Sequence, residues 1–77
     1  IAIVDHRPWN PLTDDGDALR LAVSLFLSVS IISESEFVWV CHEDAGLQVC
    51  EPTTFGANEA TRRAIVRAAA EIGRAMP

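Results

Sequence analysis

Apolar side chains early in the chain recur at intervals of three and four residues, the spacing of one helix face. The residues on this face are Ala18, Leu21, Ala22 and Leu25. The segment before them, residues 13–17, holds three aspartates and a glycine. Such side chains suit the unpaired N–H groups and the positive dipole end of a helix start. The pattern therefore predicts a helix that begins near Thr13 or Asp14.

The middle of the chain predicts three strands. Over residues 26–32 serines alternate with apolar residues, which is typical of a half-buried strand. Segment 37–41 is aromatic and β-branched and follows a polar break, so it predicts a second strand. Segment 47–51 follows the next break, residues 43–46, and predicts a third strand that ends at Pro52. Because the breaks are short, we expect an antiparallel meander.

The helical period returns from about residue 58 to residue 75. The residues on the apolar side of this helix are Ala57, Ala64, Ile65, Ala68, Ile72, Ala75 and Met76. So many alanines allow a helix to approach a sheet closely. On the polar side, Glu59 and Arg63 form a favourable i,i+4 pair, and Arg67 with Glu71 a weaker reversed one.

These elements predict one α+β domain over residues 13–77, of order α-β-β-β-α, with a three-stranded antiparallel sheet packed against two helices. Residues 1–12 are predicted to form an N-terminal arm, since Pro8 and Pro11 prevent regular structure there. Trp9, in this arm, would either pack the arm onto the core or anchor a partner, and we expect the packing role.

Gly46 determines the predicted register of the last two strands. A three-residue loop, 44–46, places its last residue in the left-handed conformation, where glycine has no steric penalty. This loop puts Cys41 opposite Val49 and directs a wholly apolar face towards the helices. That face consists of Phe37, Trp39, Cys41, Leu47 and Val49, and the opposite face of Val38, Val40, His42, Gln48 and Cys50. With the two cysteines on opposite faces, no intramolecular disulfide is expected.

The net charge of the chain argues against two classes of partner. The chain carries eleven acidic residues and six basic ones, all arginine, for a net charge of −5. Proteins that neutralise phosphates show the opposite balance, so nucleic acid and anionic membrane are unfavoured partners. Two cysteines are too few for the disulfide framework of a small secreted domain, which favours a cytoplasmic location. No apolar run reaches the roughly 18 residues of a membrane-spanning helix.

Three groups of residues have the composition of a chemical site. The zinc-type ligands His6, Cys41, His42 and Cys50 fail on geometry, because neighbours on a strand point to opposite faces. Cys50 and His42 would be diagonal neighbours in the predicted register, with Asp44 near the imidazole, as in a cysteine-dependent enzyme. No glycine-rich elbow accompanies them.

The acidic segment 14–17 lacks the spacing of a calcium loop and is better explained as a helix start. We therefore assign no catalytic, cofactor-binding or metal-binding residue from the sequence. We also expect the protein to use no cofactor.

Arg63, Arg67 and Arg74 lie on one stripe of the last helix, with Arg62 beside it. The stripe and the α-β-β-β-α order are similar to the double-stranded RNA binding domain in topology, which makes nucleic-acid binding an alternative function. The lysine-rich helix start of that domain has no counterpart at residues 58–61, and the net charge has the wrong sign. A solvated, ion-paired helix face is the other explanation.

Four segments resemble a known family: Trp9-Asn10-Pro11, Asp14 to Ala18, the strand Phe37 to Val40, and the closing Ala64 to Ala70. Over residues 8–75 the chain resembles the short phage-encoded proteins grouped as the phage α/β/α sandwich domain. The resemblance implies a phage or prophage origin and no assigned activity, so no site residue follows from it.

The expected function is that of a phage or prophage accessory protein acting as a non-catalytic protein-interaction module. The expected interaction surface comprises Trp9, Val38, Val40, Arg63, Arg67 and Arg74. Val38, Val40 and Cys50 form an apolar strip on the predicted outer face, and an exposed strip of this kind favours a homodimer. Coverage of the strip by the arm, through Ile1, Ile3, Val4 and Trp9, is the alternative within one chain.

Overall fold

A computed structural model describes residues 9–31, 36–54 and 56–75. In chain order the elements are α1 (Asp15–Ser24), β1 (Ser28–Ile31), β2 (Phe37–His42), β3 (Leu47–Pro52) and α2 (Ala57–Ala75). The strands form an antiparallel sheet of order β1-β2-β3. The predicted fold class and element order are confirmed. Ile32, the last residue of the predicted first strand, and residues 1–8 of the predicted arm lie outside the described residues.

The start of α1 is built from short polar side chains, as the sequence predicts. Asp14 is the N-cap, and its carboxylate accepts the N–H of Asp17 at 2.9 Å. Asp17 in turn accepts the N–H of Asn10 at 2.8 Å, and the Asn10 carbonyl accepts the N–H of Asp14 at 2.9 Å. Further along, the Leu12 carbonyl accepts Arg62 Nε at 2.9 Å. Residues 10–12, which we placed in the arm, are therefore bonded to α1 and α2.

The predicted register of β2 and β3 is wrong by one residue. Val40 lies opposite Val49 and Cys41 opposite Gln48, so the loop is the four-residue segment 43–46. Gly46 does adopt the predicted left-handed conformation, with φ +66°. A shift of one residue exchanges the faces of a strand. The helices therefore cover Val38 and Val40, and the face of Phe37, Trp39 and Cys41 points outward.

The core explains why the valine face is the covered one. Its buried members are Ala18, Ala22, Val38, Val40, Val49, Ala60, Ala64, Ile65 and Ala68. Alanines at 60, 64 and 68 form one stripe of α2 and bring the helix backbone close to the sheet. Small β-branched side chains fit this narrow space, and rings of the size of Phe37 or Trp39 do not. The two rings instead contact each other on the outer face, with centroids 6.3 Å apart.

The helices cover the sheet unequally. α2 packs on β2 and β3 and makes few contacts with β1, while α1 packs on α2. All four residues of β1 are exposed. Within the described residues, no helix is both long and apolar enough to cross a membrane.

Candidate interaction surface

Two residues of the expected interaction surface lie in the core. Val38 and Val40 have no exposed surface, so the apolar strip that we expected on the outer face does not exist there. In the observed register Val40 lies opposite Val49, and the face that holds both valines, not the face of Trp39, packs against α2. Trp9 is 57% exposed, contrary to the expectation that its ring packs the arm onto the core.

The arginine stripe of α2 is neutralised by carboxylates. Arg63 donates from Nε to Glu51 at 3.1 Å and also bonds Glu59, which confirms the predicted i,i+4 pair. Arg67 bonds Glu51 rather than Glu71, its predicted partner. Glu71 instead pairs with Arg74 at 3.1 Å. Pairing of this kind lowers the positive potential that a phosphate backbone would meet.

Glu51 is the centre of this network and is almost buried. The hydrogen bond from Arg67 lowers the pKa of Glu51, against the opposing effect of burial, and the hydrogen bond from Arg63 lowers it further. The hydrogen bond that Arg63 donates to Glu51 raises the pKa of Arg63, and its hydrogen bond to Glu59 raises this pKa further. The network attaches α2 to β3, and charge pairing explains it without a ligand.

The residues with the composition of a chemical site are not brought together. Cys50 lies opposite Trp39 on the outer face, whereas His42 lies opposite Leu47 on the face towards the helices. The predicted pair of Cys50 and His42 is therefore wrong. His42 Nδ1 instead accepts the N–H of Ala45 at 3.1 Å.

Cys41 and Cys50 share the outer face as diagonal neighbours, contrary to the predicted register, and both are free thiols. His6 lies outside the described residues. Among the described residues, no group of three or more histidine, cysteine or acidic side chains is placed to hold a metal ion.

A surface that the sequence did not reveal lies between α1 and β1. We name it the apolar flank, and it consists of Leu19, Val23, Phe26, Val29 and Ile31. All five are exposed, from 38% for Val29 to 65% for Val23 and 85% for Phe26. Leu19, Val29 and Ile31 line an open groove of about 360 Å³ whose floor includes Ala18, Ala22 and Ile65. The groove exists because α1 rests on α2, and within the part of the chain that the structure describes neither helix covers β1.

Phe26 has an unusual conformation at the end of α1. Its φ is +56°, and it is the one described residue other than glycine with a positive φ. Its N–H bonds the Val23 carbonyl at 3.2 Å, and the N–H of Leu27 bonds the Ala22 carbonyl at 2.9 Å. These bonds are a Schellman helix end, whose left-handed position usually holds glycine. A phenylalanine in this conformation lowers the stability of the domain, and burial of its ring does not compensate, because the ring is largely exposed.

Sequence reasoning missed this surface for two reasons. The alternation over β1 predicts a half-buried strand, but it does not show that the neighbouring helix stops short of it. The alternation also predicts that Phe26 begins the first strand, whereas the residue terminates α1. A change of period from 3.6 to 2 at this residue marks a connection, and that was the available signal.

Comparison with known proteins found no match: no family model, no curated protein and no solved structure is similar to this chain. The resemblance to phage proteins therefore stays a prediction.

Proposed function

We propose that the chain is a non-catalytic protein-interaction module whose partner docks on the apolar flank. One observation carries this proposal: large apolar side chains lie outside while the core is made of small ones. The nine buried apolar residues are five alanines, three valines and one isoleucine. The resemblance stated above adds the expectation that the module serves a phage or prophage.

The energy of burial supports this proposal. Covering a leucine, isoleucine or phenylalanine side chain completely contributes about 1.5–3 kcal/mol relative to leaving it in water. The flank leaves most of this stabilisation unused in the single chain. Scattered exposed apolar residues are ordinary, but Leu19, Val29 and Ile31 line one groove and form a patch of the kind that binds proteins.

Phe26 supports a protein-interaction role independently of the groove, because it lines a separate depression with Ser28 and His42. A residue that keeps a strained backbone conformation and an exposed ring reduces the stability of its own domain. Aromatic side chains are enriched among the residues that dominate binding energy. The cost is offset if the ring is buried by a partner.

The alternative functions have less support. Every described arginine pairs with a carboxylate, and the pairs involve Arg20, Arg62, Arg63, Arg67 and Arg74. A nucleic-acid interface would have to break these pairs. A cysteine-dependent enzyme would need a base beside its thiol, and His42 lies on the other face from Cys50.

The test compares binding by the full chain with binding by matched variants. Proteins retained from a host lysate by the immobilised chain are identified, purified and titrated against wild type, Leu19→Asp and Gln48→Asp, and self-association is measured in parallel. Leu19 and Gln48 are both exposed, but only Leu19 belongs to the flank. We expect Leu19→Asp to weaken association at least tenfold and Gln48→Asp to change it less than twofold.

Two results would overturn the proposal. In one, Leu19→Asp and Gln48→Asp affect every measured association equally. In the other, the chain binds no protein, itself included, and shifts duplex RNA or DNA with a steep dependence on salt, which would establish the alternative function.

A further inference from the structure

The two edges of the sheet differ in how they are protected. At the β3 edge, Arg67 Nη1 donates to the Cys50 carbonyl at 3.2 Å, and the strand ends at Pro52, which has no N–H to offer. At the β1 edge no described residue pairs with the strand, and its side chains are serine, valine and isoleucine. Charged side chains, proline and a covering helix are the usual protections of an edge, and β1 has none of them among the described residues.

We propose that the occupant of the apolar flank is a second copy of this chain, joined β1 to β1 in a six-stranded antiparallel sheet. The inference rests on the proposed function, because it names the partner for the same surface. Each β1 offers alternate N–H and carbonyl groups outward, so two copies complete each other's hydrogen bonding.

Two-fold symmetry places the apolar side chains of both copies on the same side of the joined sheet. Two antiparallel strands related by a two-fold axis must have the axis perpendicular to the sheet, so both copies turn the same face towards their helices. An axis midway between the two copies of Ser30 sets Val29 opposite Ile31 of the other copy. The valines and isoleucines then meet on the helix side, between the two open grooves, and the serines meet on the outer side.

The size of the flank suits a small dimer. Its five residues together expose about as much surface as three fully exposed apolar residues. This is on the order of 500 Å², which matches the largest patches on ordinary monomers, and the strand backbone adds to it. Stable interfaces bury roughly 800 Å² on each partner, so the flank supplies a large part of that area.

Charge does not oppose the contact. The chain has a net charge of −5, yet no charged residue occurs from Leu21 to Ile31. The two copies therefore bring uncharged segments together at the axis. The protected β3 edge leaves each chain with one open edge, so pairing through β1 stops at two copies instead of extending into a fibre.

The first experiment measures mass by light scattering after size exclusion, from about 1 to 100 µM, for wild type, Ile31→Lys and Gln48→Lys. We expect wild type and Gln48→Lys to approach twice the 8.4 kDa of the chain, and Ile31→Lys to remain at the monomer mass. Ile31 and Gln48 are both exposed on edge strands, so comparison of the two variants isolates the effect of the β1 edge. Circular dichroism of Ile31→Lys establishes that the monomer is folded.

The second experiment traps the pairing in chains whose natural cysteines are replaced by serine. Ser30→Cys is expected to give a disulfide-linked dimer on mild oxidation, because the two-fold axis brings the two copies of this residue together. Gln48→Cys is the control, because Gln48 is also exposed on the outer face but lies at the β3 edge, and it should stay unlinked.

A wild-type mass of 8.4 kDa at 100 µM would overturn this inference, as would a dimer that Ile31→Lys leaves intact or crosslinking equal at residues 30 and 48. If wild type is a monomer and removal of residues 1–8 makes it dimeric, the occupant is the chain's own N-terminal segment. A monomer that binds a different protein in a Leu19-dependent manner overturns the dimer and leaves the proposed function standing.

Discussion

The two edges of the sheet differ in chemistry and in exposure, since all four residues of β1 are exposed whereas Val49 and Glu51 of β3 are buried. At the β3 edge, Glu51, Arg63 and Arg67 attach α2 to the strand through charge-assisted hydrogen bonds. At the β1 edge, α2 barely reaches the strand, and Val29 and Ile31 face an open groove. One side of the sheet is therefore closed by ion pairs within the chain, whereas the other leaves large apolar side chains exposed.

The largest effect is expected where α2 lies closest to the sheet. Ala64→Leu should lower the free energy of unfolding by about 3 kcal/mol, because Ala64 is fully buried and no space exists for three more carbons. Urea denaturation measures the loss. Ala70→Leu is the control on the same helix, since Ala70 is exposed and should change stability little. Equal midpoints for the two variants would mean that α2 is not tightly packed.

Glu51→Gln is expected to cost about 1 kcal/mol at pH 7, since it weakens the hydrogen bonds from two arginines. The pKa of Glu51 is lowered in the folded chain, so its stabilisation is present above the ordinary value of 4.5 and is lost as the pH falls through the lower folded-state pKa. The difference between wild type and Glu51→Gln should therefore disappear in acid.

Urea midpoints at pH 7 and pH 3 measure this pH dependence. Glu59→Gln is the control, because Glu59 bonds Arg63 at the exposed end of the network and should show a smaller difference. A difference for Glu51→Gln that grows on acidification would contradict the assigned sign.

Phe26→Gly is expected to raise the free energy of unfolding of the monomer by about 1 kcal/mol, because glycine removes the strain of a positive φ. The measurement uses the Ile31→Lys background, so that association does not contribute to stability. Phe26→Ala separates the two properties of the residue, since alanine removes the ring and keeps the strain. Equal stabilisation by both variants would assign the effect to the ring.

The smallest effect is expected on the flank itself. Val23→Ser in the same background should change stability by less than about 0.5 kcal/mol, as exposed positions usually do. Val49→Ser, the same substitution at a buried position, should cost at least about 2 kcal/mol. The contrast between the covered and open sides fails if the two variants lose similar stability.

The parts of the fold that could be predicted are those that depend on neighbours in sequence. The capping aspartates act within one turn of α1, and Gly46 responds to the local geometry of its own loop. The register of β2 and β3 was mispredicted because both faces of β2 are apolar. Alternation cannot choose between Val38 with Val40 and Phe37 with Trp39, although it fixes that the two sets are separate.

The sequence by itself determined the order of elements, the antiparallel meander and the start of the first helix, because these follow from side-chain period and short-range hydrogen bonds. Only the tertiary structure decided which sheet face is covered, which carboxylate Arg67 bonds, and that the described helices leave β1 open. These outcomes depend on how closely the alanine stripe of α2 approaches the sheet and where the helix lies across it. Contacts between segments far apart in sequence set both distances, so no local pattern records them.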